Sequence, residues 1–178
     1  MKKFVFAAGI ALATVTSCNM ENPLLTESKL PYGAPQFDKI RNEHYLPAFE
    51  QGIREAKAEI DDIANNEEEP TFANTIEAME YAGQTLERVS GIFFNLMEAD
   101  TDDEMQKIAE EVSPKLTEYS MYVTLNDKLF RRVKAVYDKR ESLGLEQDQM
   151  RILENSYRSF ARNGANLGEE DKAEYSRL

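Results

Sequence analysis

An all-α fold, an antiparallel array of helices, is what this 178-residue sequence predicts. Apolar residues recur along it at alternating steps of three and four, the spacing of one helix face. No segment alternates apolar and polar residues between turn signals as strands do, and no repeat of fixed period occurs. Helix-capping and terminating residues punctuate the pattern every one to two dozen positions. The balance of 42% apolar and 30% charged residues fits one domain with a real core.

The first helical pattern begins near Phe37 and carries Leu46, Phe49, Ile53, Ala56, Ile60 and Ile63 on one face. Pro47 is tolerated in its first turn, where a missing N–H costs little, and the helix should stop near Asn65 and Asn66. The run Glu67 to Glu69 before Pro70 reads as a solvated loop. A second, longest helix is expected from Thr71 or Asn74, with Phe72, Ile76, Met79, Gly83, Leu86, Val89, Phe93 and Leu96 in a stripe. Gly83 within it costs roughly 1 kcal/mol against alanine and suggests close approach of a neighbouring helix. Asp102 suits an N-cap, with Met105, Ile108, Val112, Leu116 and Tyr119 following and Pro114 as an expected kink or break. An EF-hand reading of Asp100 to Glu111 fails because its sixth position is Met105, not glycine. Asn126 should cap a helix with Leu129, Phe130, Val133 and Val136 or Tyr137 inward, closed by Gly144 as C′. Met150, Leu153, Tyr157 and Phe160 make a further stripe ending near Asn163. A last helix from about Glu169 reaches Leu178 without a terminator, which suggests a chain truncated at its C-terminal end.

The amino terminus reads differently. Lys2 and Lys3 precede a short apolar run, Phe4 to Ala13, too brief for a permanent membrane span. Val15-Thr16-Ser17-Cys18 resembles a bacterial lipobox. Residues 1–17 are therefore expected to be a lipoprotein-type signal peptide, Cys18 the lipidated residue, and 18–35 a polar tether rich in proline. Residues 36–178 would be the helical domain. Export follows, to a periplasm-facing or outer-membrane location, with the membrane met only through the lipid.

The net charge of −12 and the lack of a basic stripe argue against a nucleic-acid partner. The acidity also disfavours electrostatic docking on an anionic membrane. The single histidine, His44, cannot build a catalytic zinc site, which commonly takes two or more histidines among three protein ligands. Its expected role is packing or hydrogen bonding, or a place on the surface. A serine triad through Ser90 has no support from spacing, and the sequence contains no Gly-x-Ser-x-Gly, phosphate-binding glycine loop or Cys-His pair. No catalytic and no metal-binding residue is assigned, and the substrate-binding residues are left open.

A resemblance runs from Pro35 to about Arg177. It is carried by Pro35-Gln-Phe-Asp-Lys-Ile40, His44-Tyr-Leu-Pro-Ala-Phe49, Pro70-Thr-Phe-Ala-Asn-Thr-Ile76, Gly83-Gln-Thr-Leu-Glu-Arg-Val89 and Phe94-Asn-Leu96. Asn126, Leu129-Phe130-Arg131, Leu153-Glu-Asn-Ser-Tyr157, Phe160, Arg162 and Gly164-Ala165 complete it. In order and spacing these pieces resemble the amino-terminal helical region of thimet-oligopeptidase-like zinc metallopeptidases, most like their peptidyl-dipeptidase (Dcp) and oligopeptidase A types. The resemblance implies a two-lobed, zinc-dependent parent enzyme, several times this length, that hydrolyses short unstructured peptides. Its zinc ligands and general-base glutamate lie further along the chain, in a His-Glu-x-x-His sequence absent here. The present residues would form a channel wall, packed on the remainder of the peptidase chain, inactive alone and without zinc of their own. The competing expectation is a non-catalytic helical lipoprotein that binds peptides or a protein partner.

Overall fold

The computed structural model describes residues 22–163. Cys18, the signal-like segment, Gly164-Ala165 and the expected last helix lie outside them. Among the described residues there are helices and turns and no strand. The helices are α1 (Tyr45–Asn65), α2 (Ala78–Tyr81), α3 (Gln84–Ala99), α4 (Asp103–Thr124), α5 (Asp127–Asp138) and α6 (Gln147–Arg162).

Helix α1 is the spine. It packs on α3, α4 and α5, with α6 against α5. Two apolar clusters result. The first gathers Tyr45, Ala48, Phe49, Ile53 and Ala56 of α1 with Leu86, Val89 and Phe93 of α3 and Met105 and Val112 of α4. The second takes Ile60, Ile63 and Ala64 from the far end of α1, with Ile76, Leu129, Phe130, Val133, Val136, Leu153 and Phe160. A 21-residue helix is long enough, at about 1.5 Å per residue, to serve two cores in series.

Helix α1 begins at Tyr45 rather than near Phe37, because residues 37–39 and Asn42–His44 form separate turns before it. Its end at Asn65 agrees with the sequence. The caps do as well. The Asp102 carboxylate accepts from the N–H groups of Glu104 and Met105, and Asn126 accepts from that of Leu129.

The expected longest helix is two pieces. Thr71 and Asn74 cap each other reciprocally, a wide π-type turn spans Phe72–Glu77, and α2 ends at Tyr81. Ala82 is extended and Gly83 is left-handed at φ 78°, a conformation that favours glycine. The Gly83 N–H, freed at the start of α3, donates to Glu59 Oε2 of α1 at 2.6 Å. The stripe therefore splits: Ile76 joins the second cluster, and Leu86, Val89 and Phe93 the first.

Close helix approach belongs to another glycine, Gly52. A Cβ there would stand 3.0 Å from the Leu86 Cα, so α1 and α3 touch through bare backbone. At Gly83 the nearest atom, the Ala56 Cβ, would be an ordinary 3.4 Å away. Pro114 does not end α4, which runs through it. Pro114 and Glu110 are both exposed, so the carbonyl that loses its N–H partner is on a side open to water. Helix α5 ends at Asp138, six positions before Gly144. Arg140 donates back to the Tyr137 carbonyl and a 3₁₀ turn follows, with Gly144 left-handed at φ 63° beyond it.

The expected tether is docked within its first half, at Asn22 and Leu24. Leu24 is 1% exposed within the first cluster. Arg88 donates to the Leu24 carbonyl, and Asn22 Nδ2 to the His44 carbonyl at 2.8 Å.

Candidate functional site

His44 is occupied locally. Its Nδ1 accepts the Arg41 N–H at 3.0 Å, which closes the turn before α1, and its Nε2 lies 4.0 Å from Glu43. That is the hydrogen-bonding role read from the sequence. Among the described residues no group of three or more His, Cys, Asp or Glu converges on a point where a metal ion could sit. They do not fit the zinc that the resemblance implies, so no step of hydrolysis can be assigned to them. No described helix is long and apolar enough to cross a membrane.

The acidic stretches have structural duties. Asn42 Nδ2 reaches Asp102 Oδ2 at 3.0 Å and Glu104 Oε2 at 3.2 Å, tying the pre-α1 turn to the start of α4. The Met105 N–H, then Asn42, hold the Asp102 carboxyl below its ordinary pKa. Glu69 is likewise held down by Lys139, 2.5 Å away.

Sequence reasoning missed Arg132. It sits on the inward face of α5, 7% exposed, and donates to the carbonyls of Asn66 (2.7 Å) and Glu68 (3.0 Å) and to Asn74 Oδ1 (3.0 Å). One guanidinium thus closes the loop between α1 and the π-type turn. Only its Nε lacks a partner among the described residues. Nothing local marks it, because its acceptors lie 58 to 66 positions away.

A further surface feature lies along α4. An open groove of ≈ 600 Å³ is lined by Pro114, Thr117, Glu118, Met121, Tyr122 and Leu125. Its polar rim is organised from α1. Lys57 pairs with Glu118 at 2.8 Å and stands 5.1 Å from the Tyr122 ring centre, while Tyr122 donates to Asp61 at 2.5 Å. That hydrogen bond, before burial, raises the Tyr122 pKa and keeps the phenol a donor. Next to it Lys115 bridges Glu50 (2.8 Å) and Glu111 (3.8 Å). An apolar floor with a neutral phenol and paired charges can hold a chain or a helix. It contains no activated nucleophile and no general acid–base pair.

Residues 49–172 match the family described as neurolysin/thimet oligopeptidase, N-terminal domain. The dipeptidyl carboxypeptidase of Escherichia coli K12 is 46% identical over 152 residues, covering 85% of this chain and 22% of that protein. Oligopeptidase A of the same strain is 24% identical over 159 residues, 89% of this chain and 23% of its own length. A thimet-like oligopeptidase of Dictyostelium discoideum is 25% identical over 152 residues. The chain spans about a fifth of the length of these relatives. On the match of its helical residues, this chain belongs to the neurolysin/thimet oligopeptidase N-terminal domain family.

Proposed function

We propose that the chain is the amino-terminal helical part of an exported zinc peptidase of the peptidyl-dipeptidase type, acting on short unstructured peptides. The 46% identity to a dipeptidyl carboxypeptidase carries this reading and favours it over the oligopeptidase A type, at 24%. In it, zinc and its ligands belong to the remainder of the peptidase, and the present residues contribute shape. The α4 groove, with its apolar floor and clamped rim, supports a role as channel wall. Lys2, Lys3, the apolar run and the lipobox-like Val15 to Cys18 support export with a lipid on Cys18.

The test is the coding sequence beyond the Leu178 codon. The reading expects an open frame leading to His-Glu-x-x-His. A stop codon immediately after Leu178, confirmed in independent reads, would replace it with a helical lipoprotein that works without catalysis.

A further inference from the structure

The docking of Leu24 changes what a lipid on Cys18 would do. Asn22 is held on His44 and Leu24 is buried against α1 and α3, so the chain leaves the helices at a fixed point. Only three residues separate that point from Cys18. Four residue steps reach at most about 14 Å. A lipid at Cys18 would therefore hold this end of the molecule against the headgroups, with no long tether to let it drift.

The surface at that point is unlike the rest. Leu30 is 46% exposed, Tyr32 107% and Phe37 53%, three of the five exposed large hydrophobic residues among those described. Tyr32 adopts a left-handed backbone at φ 60°, which costs a residue bearing a Cβ about 1–2 kcal/mol, with its ring entirely in the open. Pro23, Glu27, Lys29, Leu30, Gln36 and Lys39 line one shared concavity, which places Leu30 and the two lysines, with Glu27 among them, beside the exit point. In a chain of net charge −12, residues 22–41 carry Lys29, Lys39 and Arg41 against Glu27 and Asp38. Exposed aromatic rings with flanking lysines beside an acyl anchor suit the bilayer interface, where rings settle at headgroup level.

We propose that residues 22–41 form a membrane-facing collar, latched to the helices by Leu24 and meeting lipid headgroups through Leu30, Tyr32, Phe37, Lys29 and Lys39. The collar gives the anchored protein one fixed orientation, with α1 pointing its second core away from the bilayer. This rests on the proposed lipidation of Cys18, but the two are tested separately.

The chain contains no tryptophan and Cys18 as its only thiol. A chain starting at Cys18 can thus be coupled through that thiol to a maleimide lipid in phosphatidylcholine–phosphatidylglycerol vesicles, whatever its natural modification. Single reporters F37W and L143W replace exposed residues, the second beyond α5. With acyl-brominated lipid, F37W emission should fall about twofold and shift to the blue while L143W stays unchanged. Equal emission from the two reporters on coupled vesicles would overturn the collar. The intact mass of protein from its native membrane tests lipidation independently: a species without added acyl chains would overturn the anchor and leave the coupling result to judge the collar.

Discussion

The two cores that α1 serves are held in different ways. In the first, regular helices meet face to face, and aromatic rings fill the contact edge-on: Phe93 lies 4.8 Å from Tyr45 and 5.4 Å from Phe49. In the second, the apolar side chains are covered by an irregular segment, residues 66–82, which packing alone does not hold. There a buried guanidinium gathers the loop carbonyls, and rings stack flat, Tyr137 on Tyr157 at 4.0 Å. Regular helices satisfy their own backbone, so apolar complementarity suffices where α1 meets α3 and α4, while the irregular Leu24 segment on the same core takes Arg88 as its donor. An irregular cover leaves carbonyls to be satisfied, and Arg132 supplies the donors.

The sharpest way to break this contrast is F93A. Phe93 is fully buried, and the substitution should destabilise the domain by about 3–5 kcal/mol in urea unfolding. Arg132→Met keeps most of the volume and strips three acceptors of their donors, for a loss of about 3 kcal/mol. Hydrogen exchange should then accelerate over residues 66–82 first while the α1–α3 contact stays protected. Uniform acceleration in both cores would mean that they are one cooperative unit.

Two glycines sharpen the comparison further. Gly52→Ala pushes a methyl against the Leu86 backbone and should cost about 2 kcal/mol, read as a lower urea midpoint. Gly83→Ala meets only ordinary contacts but forces a left-handed alanine, for about 1 kcal/mol. If the order reversed, the assignment of close approach to Gly52 would be wrong.

The smallest expected effect concerns acid. The Asp102 carboxyl is held below its ordinary 3.8 by the Met105 N–H and Asn42. Its contribution is therefore complete above that value and is lost as pH falls through the lower, folded pKa. Asp102→Asn keeps a capping oxygen without the titration, so the drop in Tm below about pH 4 should shrink in that variant.

What the sequence disclosed follows the same division. The faces of α1, α4 and α6 were legible because each apolar residue repeats on its own helix, and the Asp102 and Asn126 caps because their effect is local. The break at Ala82–Gly83 was hidden, since Phe72 to Leu96 keeps helical spacing across it and only the backbone at Gly83 changes hand. Arg132 was hidden because the pair Arg131-Arg132 reads as the solvent side although only Arg131 faces it, and the acceptors of Arg132 are distant in sequence. Leu24 was hidden in a stretch whose prolines and polar residues look like a tether. At the candidate site, the occupied His44 was legible from its solitude. The α4 groove was not, because its rim comes from Lys57 and Asp61 on a different helix.

The proposed role of these helices is to shape a peptidase without performing its chemistry. Metal analysis and dipeptide release, measured together on the purified 178-residue chain, test it most directly. The account predicts no stoichiometric zinc and no cleavage of short peptides. One equivalent of zinc, with cleavage abolished by a chelator and restored by zinc, would contradict it.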